Sequence, residues 1–127
     1  MAWDFRDDQP IYAQLVDRLK RAVAAGEYPP GGKLPSVREL ASNAGINPNT
    51  VQRAFGELER DGLVITQRTS GKFVTDSAEQ IESVKKQLAE SEIHHFIVSM
   101  RTLGYDLAQA QSMLAASTEG ESQHANS

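Results

Sequence analysis

With 127 residues, 39% of them hydrophobic, the chain can fill one modest domain, or a small domain with an appendage, but not a large enzyme fold. It has no cysteine, which excludes disulfides and thiolate metal sites; no run nears the roughly 18 apolar residues of a membrane span, and Met1 to Asp8 lacks an apolar signal core, so a soluble, cytoplasmic protein is expected. The net charge of -4 argues against a nucleic-acid partner until it is divided: residues 1–77 carry 10 Lys+Arg and 10 Asp+Glu, whereas residues 78–127 carry 3 and 7.

Residues 1–9 are polar and acidic, with Trp3 and Phe5 as isolated anchors. Pro10 suits a first helical turn because it has no donor to lose, and Ile11, Leu15, Leu19 and Val23 recur at helical spacing as far as Gly26. Tyr28-Pro29-Pro30-Gly31-Gly32 reads as a turn, with Lys33-Leu34 as a very short strand. Ser36 with Glu39 makes a capping box, and Val37, Leu40, Ala41 and Ala44 mark the buried face of a second helix that stops at Gly45. Asn47 caps a third helix with Pro48 at its first position; Val51, Phe55 and Leu58 face inward until Gly62. Leu63 to Gln67 and Lys72 to Thr75 are β-prone around Thr69-Ser70-Gly71, which predicts a hairpin.

The helical period returns near Ala78. Ile81, Val84 and Leu88 form one stripe; Ile93, Phe96, Ile97, Met100 and Leu103 form another, offset at Glu90-Ser91-Glu92 by a kink or a change of neighbour. Gly104 ends this helix. Asp106 and Gln109 box a last short helix with Leu107, Ala110 and Leu114 on its apolar face, and residues 117–127 are expected to be a disordered tail.

Helix, helix, turn, helix and hairpin make a winged helix-turn-helix. The expected fold class is therefore mostly α with a small β-hairpin wing. The DNA-binding domain spans 1–77, and a helical dimerisation segment spans 78–116. The recognition helix, about 47–61, offers phosphate its free N-terminal N–H groups and positive dipole end. Asn49, Thr50, Gln52, Arg53 and Gly56 face outward on it. Asn and Gln can pair with adenine, Thr can touch a thymine methyl or phosphate, and Arg prefers guanine or phosphate. Gly56 leaves room for close approach of another backbone or of DNA. Blander roles are a surface ion pair for Arg38, an Arg53–Glu57 pair, and edge protection by Arg68 and Lys72 on the wing of about 63–75.

Pro10-Ile11-Tyr12, the run Leu34 to Ala41, Ile46 to Val51, Glu57-Leu58-Glu59 and Gly71 to Val74 together resemble the GntR family of bacterial transcription regulators, most closely its YtrA-type subfamily with a short helical C-terminal part. The resemblance implies a sequence-specific DNA-binding homodimer, acting as a repressor on a palindromic operator. It places DNA contacts at Arg38, Asn47, Asn49, Thr50, Arg68 and the wing turn at Gly71. Pro48 and Gln52 stand where many members place arginine, which shifts base reading toward Gln52 and Arg53. Lys33, Ser36 and Lys72 complete the expected DNA-binding set.

The stripe of Ile93, Phe96, Ile97, Met100 and Leu103, with Leu107 and Leu114, needs a covering surface. A second copy or the head's own first helix could supply it, and dimerisation is the favoured expectation. His94 and His95 point about 100° apart on a helix, so no metal site is expected. No cofactor and no enzymatic activity are expected, since no phosphate loop and no nucleophile–base set is present. The C-terminal part is too short for a large effector domain and leaves room only for a small-molecule effector of unspecified chemistry. The alternative is a winged helix used as a protein-interaction module, disfavoured because the outward face is polar and cationic.

Overall fold

The computed structural model describes residues 3–125, with side chains described as far as Thr118. Helix α1 (Ile11–Ala24) lays Leu15, Val16, Leu19, Ala22 and Val23 against α3 (Pro48–Arg60), which answers with Val51, Ala54, Phe55 and Leu58. Helix α2 (Val37–Ala44) adds Leu40 and Ala41. Leu63 and Val74 close the hairpin side, and Phe55, Leu15, Leu40 and Val51 are sealed from water. Each such side chain contributes about 1.5–3 kcal/mol through its lost hydration.

The turn between α2 and α3 follows the expected chemistry. Ser36 Oγ accepts from the Glu39 N–H at 3.1 Å. Gly45 sits at φ 69 as a left-handed cap, a conformation that a Cβ would strain. Ile46 N–H returns to the Ala41 carbonyl at 3.1 Å. Asn47 Oδ1 accepts from the Asn49 N–H at 2.8 Å, and Pro48 enters the first turn of α3. Asn47→Ala should therefore cost about 1 kcal/mol; a urea midpoint unchanged from the parent would show that this cap carries no stability.

Strands β1 (Val64–Gln67) and β2 (Gly71–Val74) pair antiparallel, with Val64 opposite Val74 and Thr66 opposite Lys72. Lys33-Leu34 forms one bridge to Phe73 rather than a strand. Helix α4 (Ala78–Thr102) starts from a relay: Thr75 Oγ1 accepts from Ser77 N–H, and Ser77 Oγ accepts from Gln80 N–H, both at 3.2 Å. The Gln80 amide then donates to the Asp61 carbonyl at the end of α3. Val84 is buried, so the first turns of α4 belong to the same compact unit as the head, Met1–Gln87.

The second unit is Leu88–Ser127. The helix is unbroken at Glu90-Ser91-Glu92: α4 is one span of 25 residues, and none of those three residues lacks an N–H or demands another backbone conformation. Asp106 and Gln109 make both halves of their box, at 2.9 and 2.8 Å. Helix α5 (Leu107–Ala125) is longer than the short helix expected and runs into the stretch expected to be a disordered tail; Ala115, Ala116 and Glu119 are strong helix formers that prolong it. Asn126 and Ser127, the end of that tail, lie outside the described residues.

Trp3 and Phe5 are not isolated. Their rings stack with centroids 6.0 Å apart, and the Arg18 guanidinium of α1 lies over both. Gln14 accepts from the Arg6 N–H and donates to the Arg6 and Gln9 carbonyls, which ties this segment along α1.

Candidate nucleic-acid interface

The buried residues of α3 fix what the helix presents. With Val51, Ala54, Phe55 and Leu58 inward, Asn49, Gln52 and Arg53 are exposed and Thr50 is half-buried. A Cβ at Gly56 would meet nothing within 4 Å, so no backbone among the described residues uses the space. Asn47 and Ser36 spend their side-chain oxygens on caps, leaving the Asn47 amide and the Ser36 hydroxyl hydrogen as donors. Arg38, in the first turn of α2, is exposed and borders a shallow recess with Ala41, Ser42, Ile46 and Pro48.

Arg53 does not pair with Glu57. Its guanidinium lies 3.6 Å from the centroid of the Tyr12 ring, while Glu57 stands 4.0 Å from Arg60. Stacking occupies the guanidinium face and leaves its edge donors free, so the ring holds Arg53 ready beside Asn49 and Thr50. Tyr12 lies outside the stripe of Ile11, Leu15, Leu19 and Val23 that sequence periodicity picks out. Its aromatic character at the first turn of a helix that packs on α3 was the available signal.

At the wing, Arg68 is exposed in the hairpin turn. Gly71 adopts φ 109, and a Cβ there would come within 3.3 Å of Lys33 Cε, so Lys33 lies alongside the turn. Lys72 departs from expectation. Only 12% of its side chain is exposed; its Nζ donates to Glu59 Oε1 at 2.8 Å and Thr66 Oγ1 at 3.1 Å, and lies 5.2 Å from the Phe55 ring centroid. It points onto α3 instead of standing free as a DNA contact, because a carboxylate one helix away offers a closer partner than solvent. The hydrogen bond from Lys72, then that from Thr66, holds the Glu59 carboxyl below its ordinary range. The pairing therefore persists through neutral pH, and its contribution is lost only as pH falls through that lowered value.

Pairing also resolves the neutral charge of the head. Arg6 binds Asp8, Arg21 binds Asp17, Lys20 binds Asp61, Arg60 stands by Glu57, and Lys72 binds Glu59. Arg18 and Arg53 lie over rings. Among residues 3–77, Lys33, Arg38 and Arg68 are left with neither an acid nor a ring partner, and all belong to α2, the wing turn or the bridge beside it. The Arg38 charge thus remains available beside Pro48 at the N-terminus of α3, whose dipole has the same sign, and that of Lys33 beside the wing turn. Among the described residues no cluster of metal-binding side chains occurs, and no helix is long and apolar enough to cross a membrane.

Comparison with known proteins bears directly on this arrangement. Residues 11–74 match the model of the bacterial regulatory proteins of the gntR family, a span from the start of α1 to the end of the wing. The HTH-type transcriptional regulator YhcF of Bacillus subtilis is 37% identical over 91% of this chain and 96% of its own. The chain belongs to the GntR family. The HTH-type transcriptional repressor YtrA of Bacillus subtilis is 36% identical over 82% of this chain and 81% of its own, in line with the YtrA-type resemblance. A GntR-family transcriptional regulator from Listeria monocytogenes superposes with TM-score 0.81 at 36% identity, covering 88% of this chain and 98% of that one. The DNA-binding domain of AraR, solved with an operator, has TM-score 0.52 at 28% identity over 59% of this chain and 88% of that one. This GntR-family protein is thus a DNA-binding transcription regulator and not an enzyme.

Proposed function

We propose that the protein is a homodimeric repressor that occupies a palindromic operator, with α3 in the major groove and the wing at the minor groove. The observation that carries this reading is the polar outward face of α3, where Arg53 lies beside Asn49 and Thr50 and Arg38 of α2 shares a recess with Pro48. Arg38, Lys33 and the Asn47 amide take phosphates at the groove edge. Asn49, Gln52 and Arg53 read base edges, Thr50 and Ser36 supply hydroxyl contacts, and Arg68 enters with the turn at Gly71.

A neutral head has few phosphate contacts to spend, so a single copy binds weakly. The second unit supplies the remedy. Ile93 is 58% exposed, Leu103 72%, and Leu107 and Leu114 53% each, while Phe96, Ile97 and Met100 complete the α4 stripe. Covering these side chains with a second copy pairs two heads on two half-sites, and promoter occupancy in the cytoplasm blocks transcription.

Selection of bound duplexes from random DNA tests this. The expected product is an inverted repeat whose half-sites lie about 10 bp, or a multiple of that, centre to centre. Enrichment of a single half-site without dyad symmetry would sink the dimeric reading; no enrichment would sink DNA reading by this face.

A further inference from the structure

Of the Glu59–Thr66–Lys72 cluster, only Lys72 was expected to contact DNA, and its ammonium is held instead by the other two. Glu59 is on the last full turn of α3, whereas Thr66 and Lys72 face each other across the hairpin. Glu59 Oε1 accepts from Thr66 Oγ1 at 2.6 Å and from Lys72 Nζ at 2.8 Å, and Lys72 Nζ also donates to Thr66 Oγ1 at 3.1 Å. The triangle therefore joins one point on the recognition helix to both strands of the wing.

We propose that Lys72 is a positioning residue, which through Glu59 and Thr66 sets the angle of the wing against α3 and so couples minor-groove to major-groove contact. The proposal rests on the reading of α3 and the wing given above. Two strands of four residues each have little stability of their own. Their inward anchors, Val64 and Val74, lie at the base of the hairpin, and the pairing continues outward to Gln67 and Gly71. Thr66 and Lys72 sit next to that outer end, where a tether has most leverage on the tip carrying Arg68. The ammonium is mostly sheltered and lies over the fully buried Phe55 ring. A phosphate competing for it would have to break a charge-assisted bond and leave Glu59 unpaired.

The role separates from direct phosphate binding by a double-mutant cycle on the full chain, using the operator duplex obtained by selection. Glu59→Gln and Lys72→Met should each weaken operator binding about tenfold, and the double variant no further than the worse single, because the pair acts as one unit. Affinity for random duplex and the slope of affinity against salt should not move. The exchange Glu59→Lys with Lys72→Glu should recover most of what Lys72→Glu alone loses, which a variant that merely unfolds would not do. A salt slope shallower by about 1 per copy in Lys72→Met, with tighter binding by Glu59→Gln, would instead make Lys72 a phosphate ligand and overturn the proposal. Arg38→Ala runs alongside. If it weakens binding while the cycle is silent, the tether falls and the reading face stands; if Arg38→Ala is also silent, the reading face falls and the proposal with it.

Discussion

Phe96→Asp should convert the protein to monomers and reduce operator affinity by about a hundredfold or more, the scale at which linking two modest binding events exceeds either alone. An aspartate in the centre of an interface between copies would be buried without a partner, which costs several kcal/mol per copy. Phe96 is 37% exposed in the single chain, so part of the loss could come from its own unit. Leu103→Asp removes that ambiguity, because 72% exposure means that little intrachain burial is given up. Sedimentation of both variants, with far-UV circular dichroism to check helix content, measures the outcome. Dimers persisting in both at micromolar concentration would show that this face of α4 is covered by something other than a second copy. The head should be unaffected in either case, since its core is built from α1, α2, α3 and the hairpin.

Local chemistry was legible in the sequence; chemistry between elements was not. Ser36, Gly45, Asn47 and Pro48 act within four residues of themselves, so their identities nearly dictate the turn they form. The Asp106–Gln109 box and the hairpin around Gly71 were readable for the same reason. Apolar spacing also located the inward face of α3, and that left Asn49, Gln52 and Arg53 outside by subtraction.

By contrast, Arg53 meets Tyr12 from a distant element, and spacing along one helix could only offer Glu57 as its partner. Lys72 meets Glu59 because the hairpin folds back onto α3; on the sequence alone it was one more cation on a strand. Trp3 and Phe5 looked isolated because their shared partner, Arg18, lies in the middle of the following helix, 13 and more residues on. The neutral head was the largest puzzle of the composition. It eases only when Asp8, Asp17, Glu57, Glu59 and Asp61 are assigned their cations, which requires coordinates.

Arg38→Ala carries the sharpest test of that assignment. Arg38 is exposed, has no acid partner among the described residues and contributes nothing to the buried face of α2, so its removal should leave the fold and the dimer intact. Loss of a good arginine contact to DNA costs roughly 1–3 kcal/mol. A dimer loses it twice, so a weakening of operator binding on the order of a hundredfold is expected. The pattern of the loss identifies the contact. A phosphate contact makes binding weaker on every sequence and shallower in its salt dependence by about 1 per copy, whereas a base contact relaxes preference at one position of each half-site. Binding titrations at several salt concentrations, on the operator and on a random duplex, distinguish these outcomes. Unchanged affinity at moderate salt would move the reading face away from α2, leaving α3 and the wing to position the protein without Arg38. Weakening restricted to low salt would make Arg38 a steering charge, which speeds encounter without fixing register.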